Sequence, residues 1–182
     1  MERVVIGRRK RYRWDEVVLF VLLFIFLVCA AATLGMISYI TYYQNRQFVV
    51  IPWYFYFIII TCVLTIIFVF TVWVLYAIQY LLPILVMLFS FILFVLWITG
   101  LVKQSIELWG PQGSINDYCV RFVYNDAIWA PPGQNRDTWA RIQQEGVCNL
   151  WKTTFALELI ATFLFLYMIF MSWQVIRSAR YG

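Results

Sequence analysis

One carboxylate interrupts a long apolar run. In FALELIATF, residues 155–163, Glu158 is the sole charge between Thr153 and Ile176. An ionisable residue inside a membrane-length segment is costly and is a functional-site candidate by default. The chemistries open to such a group are proton or ligand linkage, hydrogen bonding that locks helices together, and contact with a partner subunit. A peripheral hydrogen-bonded or protonated Glu that holds the bundle is the reading favoured here. Thr154, Ala161, Thr162, Phe165 and Ser172 fall on the same helical side as Glu158. A small and polar stripe of this kind faces other helices rather than lipid. Ser38, Tyr39, Thr61 and Thr99 are the groups expected opposite it, and Lys103 is placed to reach down from the end of its helix.

The remaining reactive residues point away from catalysis. Histidine is absent, which removes the commonest general base and metal ligand and every Ser-His-Asp or Cys-His arrangement. No Cys-x-x-Cys, Gly-rich phosphate loop or HExxH motif occurs. A disulfide-forming quinone reductase needs a redox pair beside the quinone, and the first connecting loop, QNRQFVV, has no cysteine. Asp117, Asp126 and Glu145 are not spaced as a calcium loop and read as solvated surface. The chain is therefore expected to be no enzyme and to need neither cofactor nor metal.

Four cysteines divide into two kinds. Cys29 and Cys62 sit in apolar segments, where a free cysteine packs as a small apolar side chain. Cys119 and Cys148 lie in the longest polar loop, and a disulfide between them is expected if that loop faces an oxidising compartment. Within it, CVRFVY alternates as a strand does, WAPPG (129–133) is a turn, and RDTWARIQQEG (136–146) is a short helix capped by Asp137 and ended by Gly146.

These residues are positioned by membrane spans. Hydrophobic residues make up 64% of the 182 and charged ones only 13%, against roughly 25% charged in ordinary globular domains. Three stretches, 17–43, 47–102 and 153–176, carry no charge apart from Glu158. A bilayer core needs about 20 residues of helix, so the middle stretch holds two spans. They break at YAIQYLLP, where Pro83 suits a first helical turn. The expected fold is all-α and integral to the membrane: one domain, 1–182, of four helices at about 17–43, 51–76, 82–103 and 151–176. A basic segment, 1–16, precedes them, a disulfide-stapled outer loop, 104–150, joins helices 3 and 4, and a tail, 177–182, follows. The first span runs to Tyr43, longer than the ~7–15-residue core of a signal peptide, and reads as a retained anchor.

Charge sets the orientation. Arg3, Arg8, Arg9, Lys10, Arg11 and Arg13 precede the first span, and Arg177 and Arg180 follow the last. The segment 103–152 has as many cations as anions, so the net charge of +5 belongs mainly to the two ends. The positive-inside bias places both ends in the cytosol. Arg8, Arg9, Lys10, Arg11 and Arg13 then face anionic inner-leaflet headgroups; without a soluble domain, nucleic acid is not an expected partner. Trp14 and Trp173 fall at the inner boundary, and Tyr39, Tyr42, Tyr43, Trp53 and Trp151 at the outer one, as an interfacial belt. Ala31 and Gly35 form a small-xxx-small pair suited to close helix packing, expected within the chain rather than between copies.

The layout, with its short inner loop and long second outer loop, resembles the MARVEL-domain tetraspan proteins, particularly their fungal MARVEL-like branch. The segment CNLWKTTFALELIATFLFLYMIFMSW, 148–173, carries the closest likeness: a Cys, a Lys, then a Phe-Ala opening of the last span. The charged residues that plant members of the broader group place in helices 1 and 3 are absent here. Claudins resemble the chain less, since their Trp-Gly-Leu-Trp signature and Cys pair lie in the first outer loop. The resemblance implies a non-enzymatic organiser of lateral membrane domains, traffic or cell-surface contacts, at the plasma membrane or in the secretory pathway. Its partners would be membrane lipids and other membrane proteins or further copies of itself. The alternatives are an accessory subunit of a larger membrane enzyme or transporter, and a small proton-linked carrier centred on Glu158.

Overall fold

A computed structural model describes residues 14–46, 51–111, 114–125 and 135–181. Its elements are α1 (Glu16–Arg46), α2 (Trp53–Ala77), α3 (Pro83–Trp109), the single turn α4 (Ile115–Tyr118), a π-helical turn (Cys119–Val123) and α5 (Asn135–Tyr181). No strand occurs among the described residues. Four of the helices are long and apolar enough to cross a membrane: α1, α2, α3 and the part of α5 between Arg141 and Arg180.

Local chemistry sets several ends. Asp15 caps α1: its carboxylate accepts from Val18 N at 3.4 Å and its carbonyl from Leu19 N at 3.0 Å. Helix α2 closes with Gln79 in the left-handed region (φ 56°). Gln79 N donates to Tyr76 O and Tyr80 N to Leu75 O, both at 2.9 Å. That pair of bonds is a Schellman closure, which satisfies carbonyls a helix end would otherwise leave bare. It turns the chain within five residues so that Pro83 opens α3 in its first turn, as the sequence predicts.

Each span buries one stripe. On α3 the buried residues Val86, Ser90, Leu93, Trp97, Gly100, Gln104 and Leu108 recur at intervals of three and four. That spacing keeps one face against its neighbours along the whole helix. The four long helices pack in a ring: α1 on α2, α2 on α3, α3 on α5 and α5 on α1, with α3 and α5 most extensively joined. Phe26 of α1 stacks on Phe165 of α5 at 4.1 Å between ring centroids, and Phe68 of α2 meets the same ring at 6.1 Å. Outward faces are apolar; on α3 they carry Leu85, Leu88, Phe89, Ile92 and Val95.

Three expectations about the connecting region are corrected. Helix α3 runs to Trp109 rather than stopping near 103, because Gln104 and Leu108 continue its buried stripe. The segment 136–146 is not a separate helix. It forms the start of α5, and Asp137 falls in its first turn. Gly146 is exposed within the helix, costing about 1 kcal/mol relative to Ala. That cost is not enough to break a helix held by the Arg141–Glu145 ion pair at 2.9 Å on one side and buried Cys148 and Trp151 on the other. CVRFVY is helical, not extended. Ser114 Oγ accepts from Asp117 N at 3.1 Å and starts a turn, and burial then falls on Cys119 and Val123, four apart, while Val120 and Phe122 stay exposed. The expected turn at 129–133 lies outside the described residues.

Candidate functional site

The face of α5 predicted to meet other helices does so: Thr154, Glu158, Ala161, Thr162, Phe165 and Ser172 are all buried. The threonines serve their own helix. Thr154 Oγ1 donates to Leu150 O, and Thr162 Oγ1 donates to the Glu158 carbonyl at 2.8 Å. Bonds of this type satisfy a hydroxyl in an apolar setting without reaching a neighbour. Ser172 does the same to Met168 O at 2.8 Å.

The Glu158 carboxyl has no exposure, and neither of its oxygens has a hydrogen-bond partner. The expected reach of Lys103 toward it does not occur. Lys103 Nζ pairs with Glu107 Oε1 at 3.1 Å, one turn along α3 and partly in solvent, where the ammonium keeps its hydration. Ser38, Tyr39 and Thr99 lie on exposed faces, and Thr61 donates to Phe57 O at 2.9 Å on its own helix. Opposite the carboxyl stands Gly100 of α3: a Cβ there would lie 4.0 Å from Glu158 Oε2 and 3.6 Å from Ile58. Tyr54 and Cys62 lie on the buried face of α2.

Two polar residues join this region that sequence reasoning did not single out. Gln104 is fully buried; its Nε2 donates to Trp151 O of α5 at 3.2 Å, and its Oε1 has no partner. Tyr54, 2% exposed, packs against Phe55 and Trp151, and its hydroxyl is likewise unpartnered. The signal for Gln104 was its place four residues beyond Gly100 on the apolar stripe. The charge of Lys103 just before it masks that signal. One further link crosses the bundle: Trp97 Nε1 donates to Thr65 Oγ1 at 2.9 Å, both buried.

The other site residues separate. Cys119 and Cys148 are joined by a disulfide, Cα atoms 6.1 Å apart, within a small cluster with Val123, Ile115 and Tyr124. Tyr124 donates to Asn149 Oδ1 at 3.0 Å, and Lys152 lies 5.2 Å from its ring centroid. Cys29 and Cys62 are free and buried. Among the described residues Ala31 and Gly35 pack against no neighbouring helix: both are exposed, and a Cβ on Gly35 would meet nothing within 4 Å. The stripe through Ala30, Thr33 and Ile37 takes the buried face of α1 instead. Of the aromatics placed at boundaries, Trp53, Tyr39, Tyr42 and Trp173 are exposed, whereas Trp14 and Trp151 are buried. Arg8, Arg9, Lys10, Arg11 and Arg13 lie outside the described residues. Comparison with family models, curated proteins and solved structures finds no match to this chain.

Proposed function

We propose that this chain is a non-enzymatic tetraspan membrane organiser of MARVEL-like type, working through its helix surfaces, its lipid contacts and the segment pinned by Cys119–Cys148. In this reading both termini are cytosolic, the disulfide lies on the outer side, and the basic N-terminal run engages anionic inner-leaflet lipid. The observation that carries the reading is the division of polar and apolar residues among the spans. Polar side chains such as Trp97, Thr65, Gln104 and Glu158 turn inward, while every long helix presents large apolar residues outward. A molecule built this way offers its neighbours in the membrane a continuous lateral surface, suited to lipid and to other helices. The open Ala31/Gly35 patch supports a lateral partner, since small residues allow a second helix to approach closely.

Native mass spectrometry after gentle extraction from the source membrane tests the reading. Monomers or homo-oligomers carrying lipid are the expected species. A stoichiometric larger partner would instead make the chain an accessory subunit and move the search for function to that partner.

A further inference from the structure

Oxygen atoms from three helices are left unpartnered in one part of the apolar core. They are the Tyr54 hydroxyl of α2, Oε1 of Gln104 in α3, and both carboxyl oxygens of Glu158 in α5. All three residues are at most 2% exposed. Packing draws them together. Gln104 stands one turn from Gly100, whose absent side chain leaves space beside Glu158 Oε2, and Tyr54 packs its ring against Trp151, the residue whose carbonyl Gln104 bonds. Gln104 is held in place by its bond to Trp151 O, two turns before Glu158 on α5.

Among the described residues no cation meets this oxygen set. Lys103 is committed to Glu107 at the surface. The titratable groups on the neighbouring buried faces are Tyr54 and Cys62 of α2, and Glu107 lies farther out on α3, paired with Lys103. On the buried face of α1 the only one is Cys29. None of these brings positive charge. A bare carboxylate buried among apolar groups is strongly disfavoured, and inside a bilayer no bulk water compensates it.

We propose that Glu158, Tyr54 and Gln104 form an intramembrane site for one monovalent cation, either a proton or a sodium ion. Charge selects the valence: one carboxylate and one monovalent cation are neutral together, whereas a divalent ion would leave a net charge in the core. The donor set selects the type, because carboxylate, amide and hydroxyl oxygens are hard ligands suited to protons and alkali ions rather than to soft metals. Glu158 supplies the charge. Tyr54 and Gln104 supply the remaining oxygens and fix the position. Because the site lies between α2, α3 and α5, its occupancy couples the packing of these helices to the cation supply. This goes beyond the organiser reading and does not depend on it.

The test uses the full chain in nanodiscs of zwitterionic lipid. Thermal unfolding is followed as sodium replaces choline at constant ionic strength and at several pH values, with radioactive sodium binding measured in parallel. The wild type should lose stability as the cation is withdrawn, by removing sodium or by raising pH. Glu158→Gln, with helicity and disulfide intact, should be indifferent to both. Saturable sodium binding that lower pH displaces identifies a sodium site. A pH response without sodium binding, absent in Glu158→Gln, identifies a proton site. A wild type indifferent to both cations overturns the proposal, as does a Glu158→Gln protein that responds like the wild type. If Glu158→Gln does not fold, Tyr54→Phe carries the test. Loss of one charge-assisted contact should move the cation midpoint about tenfold, and an unmoved midpoint overturns the site as drawn.

Discussion

Trp97 donates its indole N–H to Thr65 Oγ1 across the α2–α3 interface at 2.9 Å, and the Thr65 hydroxyl in turn donates a hydrogen bond to Thr61 O at 2.9 Å. Both side chains are buried, so the bond stands where no water competes for it. Trp97→Phe is expected to cost about 0.6–2 kcal/mol, the range for interhelical hydrogen bonds in membranes. Thr65→Val should cost a similar amount, and the double variant should fall well short of the sum. Unfolding in mixed micelles measures this; strictly additive losses would show that the two side chains are not coupled. Neither residue stands out in the sequence, because a Trp and a Thr in an apolar run are equally at home facing lipid. The bond exists only because the α2 and α3 stripes are brought into register. The same holds for Glu158. Its inward face is legible from Thr154, Ala161 and Thr162, but its lack of a partner is not, since Lys103 and Thr61 stood at plausible spacings and turned elsewhere.

Among the elements, the α3–α5 pairing dominates the bundle, and Gly100 lies within it. A methyl group at Gly100 would make only ordinary contacts, at 3.6 and 4.0 Å. Gly100→Ala should therefore be neutral or slightly stabilising, helped by up to ~1 kcal/mol of helix propensity. Gly100→Leu must displace Ile58 or the Glu158 carboxyl and should destabilise by roughly 1–3 kcal/mol. Comparing the melting temperatures of the two variants checks this; a benign Leu would mean the interface is looser than it looks. The disulfide ties the π-helical turn to α5 across 29 residues. Replacing both Cys119 and Cys148 by Ser should remove roughly 3–4 kcal/mol of loop closure in the chain-entropy model. It should also speed proteolysis between α3 and α5 and abolish the mobility shift on reduction. Unchanged cleavage would mean that the cluster around Val123 and Tyr124 holds without the bond.

At the scale of the whole molecule, Ala31 and Gly35 look away from the bundle and leave an open strip on α1. If that strip receives a second helix, Gly35→Leu should lower chemical crosslinking between neighbouring chains in the membrane while the thermal stability of the single chain does not fall and gains up to ~1 kcal/mol of helix propensity. Crosslinking that persists would place the lateral contacts elsewhere. The four spans, the Pro83 restart of α3 and the Cys119–Cys148 pair were all readable from the chain itself. Each rests on a one-dimensional signal: the length of an apolar run, a proline at a helix start, two cysteines in one polar segment. Length and hydropathy alone decide whether a segment can satisfy its backbone as a helix in lipid. Apart from the small and polar stripe that marks the inward side of α5, which face of each helix points inward was decided by the tertiary structure alone. On the other spans the faces are alike in hydropathy, so the sequence carries little record of orientation, and only the fit of side chains between helices can choose. That choice sent Ala31 and Gly35 outward, buried Gln104 past the expected end of α3, ran α5 unbroken through Gly146, and left Glu158 facing Gly100 without a partner.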